Sequence, residues 1–130
     1  MLRAVLIGSL LLSGACSTDE TLSAYGADGR EWQLRSLDGA AFTATASLTF
    51  PEPGEAAGKA PCNSFLGKQT APYPWFEISQ LAVTRAACPE LAAEAVFLKA
   101  LQEMTLAEVS GDVLILSNEA GREMLFKDGG

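Results

Sequence analysis

The stretch CPELAAEAVFLKALQEMT, residues 88–105, is the one part of this sequence with the pattern of an amphipathic helix. Pro89 suits the first helical position, and Glu90 and Glu94 lie where negative charge stabilises the positive end of a helix dipole. A single apolar stripe at helical spacing contains Ala93, Phe97, Ala100, Leu101 and Met104. The pattern therefore predicts one helix over about residues 88–105.

The sequence on both sides of this helix has the pattern of β-strands. FTATASLTF, residues 42–50, alternates apolar and hydroxyl side chains, and WFEISQLAV, residues 75–83, indicates a second strand. After the helix, three short apolar runs are separated by the turn sequences SGD and NEAG. Several strands, one helix and a closing meander predict a strand-dominated α+β fold. Because one helix cannot cover both faces of such a sheet, we expect the sheet to curl. The expected form is a small curled antiparallel sheet or partly open β-barrel, with the helix at an opening or across one face.

The first residues, MLRAVLIGSLLLSGAC, have the pattern of a secretory signal peptide over residues 1–15. The small residues before Cys16 resemble the lipobox of bacterial lipoproteins, in which the cysteine thiol receives a lipid. The alternative is an ordinary cleaved signal that removes Cys16 or leaves it as a free thiol. Polar residues follow, so we expect a lipidated N-terminus and flexible tether over 16–30 and a folded domain over 31–128.

The composition bears on compartment and partners. The chain has 9 basic and 16 acidic residues and a net charge of −7, so it is poorly suited to bind nucleic acid or anionic headgroups through its surface. Attachment to a membrane would therefore come from lipid on Cys16. Ser17, where aspartate would retain an enterobacterial lipoprotein at the inner membrane, favours the outer membrane. The predicted location is the cell envelope, facing the periplasm.

The three cysteines limit the possible chemistry. With Cys16 lipidated, Cys62 and Cys88 form an even pair in an oxidising compartment, where a disulfide persists. Two buried free thiols are the alternative. A catalytic thiol is disfavoured because the chain has no histidine, and two cysteines without histidine do not complete a structural zinc site. We therefore expect no catalytic residue, metal or cofactor.

Two polar residues near these cysteines have open interpretations. Asn63 fits a turn in which its side chain bonds to nearby backbone, and the alternative is a substrate-binding amide. Arg85 could pair with a carboxylate or bind an anionic ligand, although an arginine before a helix is usually a surface or bridging residue.

Five separated stretches together resemble the META domain family of HslJ-like envelope lipoproteins. They are WQLRSLDG, GKAPCNSFLGK, FEISQLAVTRAACP, EAVFLKAL and LILSNEAGREMLF, within residues 32–127. The most specific part joins Cys62 and Asn63 to Thr84, Arg85, Ala87 and Cys88. The resemblance implies a small, partly closed barrel with one helix, and a role in stress tolerance or envelope maintenance without an established active site.

These observations together predict a non-enzymatic bacterial envelope lipoprotein that displays this domain in the periplasm. Its expected partners are the membrane, through the lipid, and an envelope protein. The alternative is a carrier or pilot-like module that binds an acyl chain or apolar peptide inside its barrel, by analogy with the lipoprotein pilots of secretins.

Overall fold

The structure is a computed structural model, and it describes residues 18–129. A short 3₁₀ helix, Leu22–Tyr25, precedes nine strands and one α-helix. In chain order they are β1 (Trp32–Leu37), β2 (Ala40–Ala41), β3 (Ser47–Thr49), β4 (Gly54–Lys59), β5 (Ser64–Gln69), β6 (Ser79–Val83), α1 (Leu91–Glu103), β7 (Leu106–Ser110), β8 (Val113–Ser117) and β9 (Glu123–Asp128).

The strands form one antiparallel sheet that curls into a half-barrel. Eight of them follow the order β6-β5-β4-β3-β1-β9-β8-β7, and the short β2 pairs with β1 as a hairpin outside this path. The predicted closing meander is present as β7, β8 and β9, which pair in sequence. The predicted strand-dominated α+β class is confirmed.

The segment before β6 pairs with β7, the strand at the opposite edge of the sheet from β6. Trp75 forms an isolated antiparallel bridge with Leu106 at the start of β7. On either side of it, the Phe76 N–H donates to the Thr105 carbonyl at 2.9 Å, and the Ala107 N–H donates to the Pro74 carbonyl at 2.8 Å. Residues 74–76 therefore pair with β7, and β6, a few residues later, pairs with β5. This one segment connects the two edges of the sheet, so the half-barrel is nearly closed.

The helix α1 lies across one end of the half-barrel, here called the helix mouth, where β1 and β8 end and β5 and β7 begin. Near its start, Glu94 bonds to the turn that precedes β5. At its end, the Asn118 side chain after β8 donates to the Glu103 carbonyl at 3.1 Å. The helix therefore spans the opening from one side to the other.

The buried side of α1 agrees with the predicted apolar stripe, while its start differs by a few residues. Phe97, Ala100, Leu101 and Met104 are buried, and the Phe97 ring lies 5.7 Å from that of Phe65 on β5. The regular helix covers residues 91–103 rather than 88–105, because the residues between Cys88 and Glu90 form a turn.

The opposite end of the half-barrel, the plug mouth, is covered by residues 21–27, here called the plug. Leu22 and Ala27 have no exposed surface, and the Trp32 indole N–H donates to the Ala27 carbonyl at 2.9 Å. The expected flexible tether over 16–30 is therefore wrong for this part, since its apolar side chains complete the core. The folded domain begins about ten residues before the expected boundary at residue 31, and residues 1–17 lie outside the described part.

Four strands of the sheet, β1, β2, β4 and β5, were not among the strands predicted from the sequence. Gly58 of β4 reflects close packing, because a Cβ on it would lie 2.8 Å from the Phe65 ring and would also clash with the Ser47 carbonyl. The expected strand over 42–50 is shorter in the structure, where β3 covers only Ser47–Thr49.

Candidate functional site

The candidate site is the turn between β4 and β5 together with the segment that leads into α1. Cys62 in the turn and Cys88 before the helix form a disulfide with their Cα atoms 5.6 Å apart. Of the two states that the cysteine count left open, the predicted pairing is therefore present. The disulfide ties the helix start to the sheet across 26 residues of sequence.

The side chain of Asn63 lies at the centre of this site and is buried. Its Oδ1 accepts hydrogen bonds from the Ala86 N–H at 2.6 Å and the Thr84 hydroxyl at 2.9 Å. Its Nδ2 donates to the Ala86 carbonyl at 3.0 Å and to the Glu94 carboxylate at 2.7 Å. Every donor and acceptor of the amide therefore has a partner within the protein, which favours the turn-stabilising interpretation of Asn63 over a substrate-binding amide.

Glu94 supplies a buried carboxylate to the same turn, with 6% of its surface exposed. Its Oε1 accepts from the backbone N–H groups of Cys62 and Asn63, at 2.9 and 2.8 Å, and its Oε2 accepts from Asn63 Nδ2. None of the ion pairs found within residues 18–129 involves Glu94. The negative charge is therefore balanced by three N–H dipoles rather than by a cation.

The two remaining signature residues differ in their contacts. Thr84 is bonded on both sides, since its hydroxyl donates to Asn63 and accepts from the Ser64 N–H at 3.1 Å. Arg85 is exposed, and its guanidinium takes part in none of the hydrogen bonds or ion pairs found within residues 18–129. Of the two interpretations of Arg85, the structure favours a surface residue.

Two shallow depressions flank the Asn63–Thr84 pair. One, of about 340 Å³, is lined by Lys59, Thr45, Ser64 and Thr84 among others. The other, of about 320 Å³, contains Arg85 and the exposed side chain of Leu91. The disulfide leaves no thiol here to act as a nucleophile, so these surfaces offer polar contacts without an activated group.

A second polar cluster lies at the other end of α1. The Arg122 guanidinium contacts Glu103 at 2.7 Å and Asp38 at 2.9 Å. Hydrogen bonds from the Glu123 backbone N–H and from Arg122 lower the pKa of the Asp38 carboxyl, and bonds to Asp38 and Glu103 raise the pKa of Arg122. This cluster joins the β1–β2 turn, the β8–β9 turn and the helix end.

The model of the META domain matches residues 24–129 of the sequence. The chain belongs to the META domain family. The match includes both cysteines of the disulfide and most of the plug, so the family unit begins before Trp32, as the fold does.

Solved structures share the fold of this META domain at low sequence identity. An NMR structure of a protein from Burkholderia xenovorans has a TM-score of 0.65 and 22% identity, with 95% of this chain and 99% of that one covered. A second NMR structure has a TM-score of 0.60 and 23% identity, over 75% of this chain and 87% of that one. A crystal structure of a DUF4847 family protein from Bacteroides vulgatus has a TM-score of 0.51 and 19% identity, over 63% and 57%. Among curated proteins, none is significantly similar to this chain.

The interior of the META domain is filled by its own side chains. Trp32, Phe97, Leu114 and Phe126 have no exposed surface, and α1 and the plug cover the two mouths. The depression of about 540 Å³ beside Arg30 and Phe50 is open at the surface rather than inside the sheet. This packing counts against the alternative of a carrier that holds an acyl chain within the barrel.

Two further findings concern the membrane and metals. In the part of the META domain chain that the structure describes, no helix is long and apolar enough to span a bilayer. Residues 18–129 also contain no group of three acidic, cysteine or histidine side chains arranged to hold a metal ion. The proposed anchor, Cys16, lies outside the described residues.

Sequence reasoning found the cysteines and Asn63 but missed the groups that complete the site. Glu94 fitted a general preference for acidic residues near a helix start, so its bonds to the turn before β5 were not predicted. Its placement three residues before Phe97 and seven before Leu101, on the apolar side of the helix, was the available signal that it faces inward. Asp38 and Arg122 are 84 residues apart, and nothing local to either one predicts the contact.

Proposed function

We propose that this META domain protein is a non-enzymatic lipoprotein of the bacterial envelope, anchored through Cys16 and facing the periplasm, with the outer membrane favoured. The observation that carries the proposal is the Cys62–Cys88 disulfide, which fits an oxidising compartment and leaves Cys16 as the odd cysteine directly after a signal-like sequence. The META domain resemblance adds envelope maintenance or stress tolerance as the biological role.

The candidate site supports a stabilising role for the signature residues. The amide of Asn63 and the carboxylate of Glu94 are bonded within the protein, and both cysteines are oxidised. The side chains that could otherwise react or bind a ligand are therefore engaged in holding the helix start. Contacts with other envelope proteins would use the outer surface of the domain.

Labelling with radioactive palmitate tests the anchor. We expect label to enter the wild-type protein and to be absent from Cys16→Ala, with Ser17→Ala as a matched control that keeps the acceptor thiol. Membrane fractionation of the same strains should place the wild type with the outer membrane and release Cys16→Ala. Equal labelling of the Cys16→Ala protein would contradict the proposal.

The role in stress is tested by deleting the gene and measuring survival after heat and envelope stress. We expect lower survival, restored by the wild-type protein but not by Cys16→Ala. Unchanged survival of the deletion strain under all of these conditions would contradict this part of the proposal.

A further inference from the structure

The chain is fixed to the half-barrel just before the plug begins. The Asp19 carboxylate accepts hydrogen bonds from the N–H and the hydroxyl of Thr21, at 2.9 and 2.6 Å. The Tyr73 N–H donates to the Glu20 carbonyl at 2.7 Å, and Leu22 is completely buried. The chain therefore has little freedom to move away from the domain after Asp19.

The start of the plug lies at the plug mouth, far from the helix. The Tyr25 ring stacks on that of Tyr73 at 4.7 Å, and the Tyr73 hydroxyl accepts from the N–H of Val109, near the end of β7. Strands of six residues are about 20 Å long, so α1 lies about that far away at the other mouth.

Only a short piece of chain separates this fixed point from the proposed lipid. Cys16 precedes Asp19 by three residues, and an extended chain spans at most about 3.6 Å per residue, or about 11 Å in total. A lipid on Cys16 could therefore not let the domain move freely above the bilayer.

We propose that the plug mouth rests directly against the membrane surface and that the helix mouth faces away from it. This inference rests on the proposed lipidation of Cys16, and it replaces a flexible tether with a fixed orientation. The occupant of the plug-mouth surface is the headgroup layer of a phospholipid bilayer.

The chemistry of the plug mouth indicates which bilayer it fits. Tyr25 is 54% exposed there, and aromatic side chains with a polar tip favour the headgroup region. Exposed acidic residues also lie at this end of the sheet, in the loops beside the strand ends, namely Asp28, Glu31, Glu52 and Asp112. Because anionic headgroups would repel these carboxylates, the surface fits zwitterionic lipids with an accessible ammonium group.

Tryptophan quenching in vesicles tests the orientation. The full-length lipidated protein would be reconstituted in phosphatidylethanolamine and phosphatidylcholine vesicles that carry a headgroup nitroxide. Tyr25→Trp and Val96→Trp form a matched pair, because the two native side chains are 54% and 49% exposed at opposite mouths. Both variants would carry Trp75→Phe, which leaves the buried Trp32 as the common background.

We expect the nitroxide to quench most of the emission added by Tyr25→Trp and little of that added by Val96→Trp. Equal quenching at the two positions, or stronger quenching at Val96→Trp, would overturn the orientation. Adding anionic phosphatidylglycerol should reduce the difference between the two positions.

A longer spacer between Cys16 and the domain tests whether the short spacer causes the fixed orientation. Inserting about 15 Gly and Ser residues between Ser17 and Thr18 gives a flexible segment of about 20 Å. We expect the protein to remain on the vesicles while the quenching difference is lost, and an unchanged difference would contradict the short-spacer argument.

The mass of the purified protein separates the two proposals. A lipidated mass with no quenching difference refutes the orientation alone. An unlipidated mass refutes the proposed anchoring and, with it, the orientation.

Discussion

The start and the end of α1 are attached to the half-barrel by different kinds of interaction. At the start, a disulfide and the buried pair of Asn63 and Glu94 hold the turn before β5. At the end, the partly exposed Arg122 joins Asp38 and Glu103 through ion pairs. Buried hydrogen bonds and covalent links are insensitive to salt, whereas exposed ion pairs are screened. We therefore expect the helix end to loosen before the helix start when the salt concentration is raised.

Among changes at the two ends of α1, removing the disulfide should lower the free energy of unfolding most. Replacing both cysteines, Cys62→Ser with Cys88→Ser, frees a loop of 26 residues and should lower the free energy of unfolding by about 3.5 kcal/mol. Urea denaturation measures the loss, and Cys16→Ser is the matched control. A loss no larger than that of the control would show that the buried hydrogen bonds hold the helix start without help.

Changing the buried carboxylate should have the next largest effect. Glu94→Gln keeps the size of the side chain but replaces one acceptor oxygen with a donor that faces Asn63 Nδ2 or the backbone N–H groups. We expect a loss of about 2 kcal/mol, because a buried hydrogen-bonding group is left without its partner. Glu90→Gln is the control, since Glu90 is exposed and its side chain does not cap the helix. Equal stability of the two variants would contradict the structural role of Glu94.

Removing the cation at the helix end should have a smaller effect that depends on salt. Arg122→Met breaks the contacts with Asp38 and Glu103, and we expect less destabilisation than from Glu94→Gln, decreasing further at high ionic strength. Arg35→Met provides a control at an exposed arginine on β1. Thermal unfolding at low and high salt measures the difference, and an effect independent of salt would argue against ion pairing as its cause.

The smallest expected effect is the pH dependence of the helix end. The pKa of Asp38 is lower in the folded protein than its ordinary value of 3.8, so its stabilising contribution is complete above that value. The contribution is lost as the pH falls through the folded-state pKa. Unfolding midpoints of the wild type and Asp38→Asn should therefore converge in acid and separate at neutral pH. A constant difference between them across this range would refute the assignment.

The two ends of α1 also differ in how well the sequence predicts them. Periodicity identified the helix and its apolar stripe, and the cysteine count favoured the disulfide, because both signals are local or compositional. The contacts of Glu94 with Asn63 and of Arg122 with Asp38 depend on the order of strands in the sheet, which no local pattern encodes. Strand β4 and the plug were missed because their local sequences resemble a turn and a flexible tether, while their contacts are made with distant parts of the chain. Gly58 is needed for close packing with Ser47, and the buried Leu22 and Ala27 follow a polar stretch and are not at the spacing of a strand or a long helix.

The hydrogen bond between the Trp32 indole and the Ala27 carbonyl has a practical consequence for work with shortened proteins. A truncation placed at Glu31, the domain boundary expected from the sequence, would remove the acceptor and uncover a tryptophan that has no exposed surface. Such a protein would present an open apolar end and be prone to aggregation and proteolysis. A soluble version suited to crystallisation or binding assays should begin no later than Asp19, which keeps every contact of the plug described above.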